Sequence, residues 1–184
     1  MGKHSFVGPI DPQFIIQTPL GVMAVPAQAI LDQFDMAKDQ CKDPRTLGAW
    51  LPILNQYGPA LLVQSQNAIA LSKKYVSTWL ARYMFADHND PEQARESAET
   101  IADRLSNHTL FRSHGHHISR TEAREIGLYV DDLEDDQQFQ DLVLSLYHAT
   151  THTFGGTYAV KVIENQNGKS FIKLQGMPVQ MQQQ

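Results

Sequence analysis

Apolar positions along this chain recur mostly every third or fourth residue, and only in short stretches every second. After Pro26, the residues Ala27, Ile30, Leu31, Phe34 and Ala37 line one face of a helix reaching about Cys41. Pro26 suits the first helical position, where the missing N–H costs nothing. A shorter helical piece is predicted over residues 47–54, interrupted by Pro52. From Pro59 the pattern lengthens: Leu62, Ile69, Val76 and Tyr83 fall seven apart, and Trp79, Leu80 and Met84 fill the same side. This predicts the longest helix. The stretch HNDPEQARESAETIADRL then opens with Asn89 or Asp90 as cap and Pro91 just inside, and places Ala94, Ala98, Ile101, Ala102 and Leu105 on one face. So many alanines on that face predict close packing.

In SRTEAREIG, Ser119 and Glu122 form a capping-box pattern, with Gly127 a natural stop. The acidic DDLEDD reads as a solvated linker or helix start, where carboxylates complement the helix dipole. Phe139, Leu142, Val143, Leu146 and Ala149 mark the last helix. Alternation by two appears in TYAVKVIENQNGKSFIKLQ, a β-hairpin turning at Asn167-Gly168. At the other end, residues 4–10 read as the tail of a buried strand entering a turn rich in Gly8, Pro9 and Pro12. Residues 14–26 read as short extended pieces around Pro19 and Gly21. An independently stable sheet needs about three strands, a minimum that one terminal hairpin and the short pieces at the start do not clearly meet, so part of a sheet is expected to be missing.

Composition narrows the class. The chain has 184 residues, 42% hydrophobic and 19% charged, ordinary values for a globular domain. Fifteen basic against twenty acidic residues leave a net charge of -5 with no basic stripe, so no nucleic-acid partner is expected. The single cysteine, Cys41, rules out an internal disulfide and fits a reducing, cytoplasmic setting. No apolar run reaches the ~18 residues of a membrane span.

Candidate chemistry is sparse. HGHH sets His114, His116 and His117 around a glycine, but no Cys, Asp or Glu stands at zinc-ligand spacing beside them. In HATTH, His148 and His152 share a helical face, yet Ala149 stands where a metalloprotease needs its glutamate. Neither metal nor cofactor is expected. No serine has the glycine-flanked elbow that exposes a nucleophile beside oxyanion donors, and no glycine loop suits a phosphate.

The stretch GKHSFVGPIDPQF closely resembles the segment following the nucleophile region in the serine dehydrogenase proteinase family, relatives of the Clp protease proteolytic subunit and of signal peptide peptidase A. The likeness continues through KYVSTWLARYM, SHGHHISRTEAREIGLYVDDLEDD and LVLSLYHATTHTFGGTYAVKVIEN. It implies an α/β crotonase-like fold, truncated at the N-terminus and helix-rich with a C-terminal β-hairpin. Residues 1–176 would be the C-terminal portion of one domain, and residues 177–184 a polar tail. The resemblance implies peptide-bond hydrolysis, with the catalytic serine and oxyanion strand upstream of Met1, through gene truncation or a misplaced start.

For the base, the Clp relatives' histidine position falls near Ile10 and Asp11, while the lysine of the signal-peptide-peptidase relatives falls nearest Lys38 by spacing. Lys38 lies among Asp35, Asp39 and Lys42, a pattern that also fits a solvated helix face. Asp11 either orients a base or holds the turn through Asx-type hydrogen bonds. His114 precedes ISRTEAREIGL, where the Clp relatives place their acidic member. The expected partners are peptide or protein substrates and further copies of the chain in a homo-oligomer, with membrane association only through a missing N-terminal segment. The alternative function is a noncatalytic binding or assembly module.

Overall fold

The structure is a computed structural model, and it describes residues 1–18, 21–111 and 115–175. It is a mixture of helices and small antiparallel sheets. The chain divides into two compact units, Met1–Asp131 and Asp132–Gln184, where one domain is expected over residues 1–176.

In the first unit, strands β1 (Gln13–Thr18) and β2 (Gly21–Pro26) pair antiparallel, Gln13 opposite Pro26 and Thr18 opposite Gly21. Helix α1 (Ala27–Gln40) follows directly, burying Ala27, Ile30 and Ala37. Pro26 is its N-cap rather than its first helical residue: ψ of 137° keeps Pro26 extended, as the last residue of β2. Helix α2 (Pro44–Leu54) starts on the Asp43 carboxylate, which accepts from the Arg45 N–H at 3.0 Å, and runs on through Pro52. Pro52 lies in the last turn, where one lost hydrogen bond is tolerated.

Helix α3 (Leu61–Trp79) continues into a π turn, Leu80–Met84, whose extra residue re-phases the ladder of apolar positions. Leu80 and Met84 pack on the core, while Trp79 and Tyr83 are left 57% and 68% exposed. The expected single stripe through Tyr83 therefore breaks at the π turn. Helix α4 (Pro91–Leu105) matches its sequence pattern at every position. Asp90 caps it by accepting from the Glu92 N–H at 2.9 Å, and Ala94, Ala98, Ile101, Ala102 and Leu105 are all buried. Phe85, Ile118 and Ala123 complete the core around this face.

The opening stretch is less regular than a strand. Val7 forms an isolated antiparallel bridge with Ile118, through hydrogen bonds of 3.1 and 3.0 Å. Pro9 then ends the pairing because it has no N–H to donate, and the Ile10 N–H donates instead to the Leu105 carbonyl at 2.8 Å. Helix α5 (His108–Phe111) is a single turn, and α6 (Arg120–Ile126) has the full capping box of Ser119 and Glu122.

Two expectations about α6 are measurable. Gly127 ends the helix at φ 111°, and a Cβ there would meet the Ile101 side chain at 3.3 Å. Gly127→Ala is therefore expected to cost about 1–3 kcal/mol, from left-handed strain plus crowding, measured by urea unfolding. The Glu122 carboxyl is held below its ordinary value, first by the Ser119 backbone N–H and then by the Ser119 side chain. An acid depressed in the folded state contributes stability above its unfolded pKa, and that contribution is lost as pH falls through the folded value. The stability advantage of the native chain over Glu122→Gln is thus expected to be full at neutral pH and to vanish under strongly acidic conditions. An advantage unchanged by acid would contradict the cap.

The second unit holds a short 3₁₀ turn (Leu133–Asp135), α7 (Gln137–Gly156) and the hairpin of β3 (Ala159–Glu164) and β4 (Ser170–Leu174). Asp136 caps α7, its carboxylate accepting from the Phe139 N–H at 2.9 Å. The hairpin turns at Asn167-Gly168 as expected, Gly168 taking φ 71°, with a bulge between Ala159 and Lys161. Among the described residues of this unit only Ala159 is buried. The polar tail over residues 177–184 lies outside the described residues.

Candidate functional site

The bonds that hold residues 7–12 bring Asp11 to a small recess at the end of α4. Pro12 contributes as well, its carbonyl accepting from the Ala27 N–H at 2.8 Å, which ties the turn to the start of α1. The recess is about 20 Å³, room for roughly one water. Asp11, Gln28, Ser106, Asn107 and His108 line it, and Asp11 Oδ2 is shut off from solvent.

His108 is the residue that the sequence left unmarked. Its Nδ1 lies 3.8 Å from Asp32 Oδ2, and Asp32 is held from behind by the Gln28 amide, which donates to Oδ1 at 2.8 Å. An imidazole backed by a carboxylate is the arrangement that fixes a tautomer and stabilises the imidazolium formed during proton transfer. At 3.8 Å the pair is longer than a hydrogen bond. Ser106 stands in the same recess, but its hydroxyl donates back to the Asp103 carbonyl at 3.2 Å, so it is not poised on an imidazole.

Of the three residues the sequence nominated, Asp11 is at this recess. Lys38 is not: it is exposed in the last turn of α1, a position that complements the helix dipole. Its charge is felt by Asp39, whose carboxyl is lowered chiefly by the hydrogen-bonded Lys42 ammonium at 2.7 Å and to a lesser degree by Lys38. Spacing along the chain does not bring Lys38 to Asp11. His114 lies outside the described residues. Its neighbours separate: the His117 ring stacks on Phe6 at 3.6 Å, while His116 packs against Phe111 at 5.0 Å. Among the described residues no three His, Cys, Asp or Glu side chains gather as metal donors. No described helix is long and apolar enough to cross a membrane.

No family model matches the chain, and neither does any curated protein or solved structure.

Proposed function

We propose that this chain is the C-terminal portion of a crotonase-like serine peptidase, of the serine dehydrogenase proteinase type, and that it contributes an acid–histidine pair to that site. The observation that carries the reading is the meeting of Asp11 and His108 in one recess, with Asp32 behind the imidazole. In this reading His108 takes the proton of a serine hydroxyl, Asp32 stabilises the resulting cation, and Asp11 shapes the turn over which a peptide substrate lies. The recess is too small to hold substrate, so the peptide passes outside it. In this reading the serine and its oxyanion donors are supplied from outside the recess.

Fluorophosphonate labelling tests this. The chain by itself is expected to stay unlabelled, because nucleophile and oxyanion donors act as a unit. Labelling of any serine in the chain, Ser106 included, would overturn the proposal.

A second reading, assembly, is favoured by α7. None of its residues is buried, and Phe139, Leu142, Val143, Leu144, Leu146, Tyr147 and Phe154 are exposed. Exposed apolar side chains gathered on one helix are the kind of surface that protein–protein contacts cover. The occupant this suits is a second copy of the chain. Light scattering after size exclusion is expected to show a dimer or larger species that Leu142→Glu with Leu146→Glu converts to monomer; a monomeric native chain would remove this reading.

A further inference from the structure

Away from the Asp11 recess, the first unit carries a groove of about 520 Å³ beside the C-terminal half of α3, the π turn and the start of α4. That volume lies within the range of small-molecule sites. Its floor is apolar, formed by the buried Phe85 and Ala94. Its walls carry three cations, Lys74, Arg82 and Arg95, against one carboxylate, Glu99. In a chain of net charge -5, this is a local excess of positive charge.

Three further observations bear on these cations. Among the described residues, none of the three makes an ion pair, whereas the adjacent Lys73 is engaged by Asp103. The Ser77 and Thr78 hydroxyls beside them both donate to the Lys74 carbonyl, at 3.2 and 2.6 Å, which leaves anion recognition to the cations. Arg82, which lines this wall, lies within the π turn. The Phe85 N–H reaches back to the Leu80 carbonyl at 2.9 Å, and the extra residue re-aims the side chains between them. Such single π turns cost helix regularity and recur at functional sites.

We propose that this groove binds a small dianion with an apolar body, either a phosphate monoester or a dicarboxylate. The two arginines take the oxyanion oxygens by charge-assisted hydrogen bonds, Lys74 adds a point charge, and the body lies on Phe85 and Ala94. The proposal does not depend on the peptidase reading, because no groove residue lines the Asp11 recess.

The test is an NMR titration of the full chain at low salt with phenyl phosphate and, separately, with phthalate; benzoate serves as the monoanion comparison. Saturable shifts centred on Phe85, Ala94 and Arg95 are expected with a dianion and weaker ones with benzoate. The tighter of the two dianions identifies the source of the charge. Arg82→Gln and Arg95→Gln, exposed changes that leave the core intact, are each expected to weaken binding at least about tenfold. Added salt is expected to weaken it too, since the Debye length falls to about 10 Å at 0.1 M. Absence of saturation by either dianion, shifts centred elsewhere, or equal affinity in Arg95→Gln would each overturn the proposal.

Discussion

Ile118→Ala is expected to lower the stability of the chain by about 3–5 kcal/mol, the upper part of the range for deleting a fully buried branched side chain. Ile118 is 0% exposed and packs in the cluster with Phe85, Ala98 and Ile101. Its backbone also holds Val7 through the paired 3.1 and 3.0 Å hydrogen bonds. Alanine keeps those bonds available, so the loss comes from transfer and cavity energy. Since a domain of this size is stable by about 5–15 kcal/mol in all, the variant stands near the edge of unfolding. The amides of Val7 and Ile10 should then exchange with solvent much faster than in the native chain. Urea unfolding measures the first effect and hydrogen exchange the second. Phe6→Ala is the comparison: Phe6 is 53% exposed, and its loss should cost much less. A cost below about 1 kcal/mol for Ile118→Ala would mean that the core is not centred where the structure puts it.

What the sequence revealed divides along physical lines. Features set within a few residues were legible: the Asp90 and Ser119 caps, the Gly127 stop, the buried face of α4 and the Asn167-Gly168 turn all follow from side-chain chemistry next to the backbone they serve. Features set by accumulated phase were less so. A helix drifts ~20° per heptad relative to a seven-residue ladder, and the π turn adds a further residue, so the ladder from Leu62 to Tyr83 could not stay on one side. Features set by tertiary approach were not legible at all. Nothing in SNHTLF marks His108; it acquires meaning because α1 places Asp32 beside it. Lys38 shows the other side of this: linear spacing nominates it, while its neighbours Asp35, Asp39 and Lys42 suggest a solvated face, and α1 leaves it exposed.

His108→Gln is the variant expected to affect activity most. It is to be made in a longer polypeptide that joins this chain to a segment supplying the serine and its oxyanion donors. In that longer polypeptide the fluorophosphonate labelling rate should fall about 10²–10⁴-fold in His108→Gln, the usual contribution of a positioned base. Asp32→Asn should fall in the same direction, because an amide can hold the imidazole but cannot stabilise its cation. The Asp32 variant also separates catalysis from architecture. Asp32 is more than half exposed and its contacts are with Gln28 and His108, so its loss should leave urea stability within about 0.5 kcal/mol while depressing the rate. If both variants label at the native rate, the pair has no part in the chemistry, and the recess is a packing feature of the turn. If His108→Gln slows labelling and Asp32→Asn does not, His108 acts without Asp32, and Asp11, which lines the same recess, becomes the carboxylate to test next. The rate and the stability together therefore decide which of the two acids the imidazole answers to.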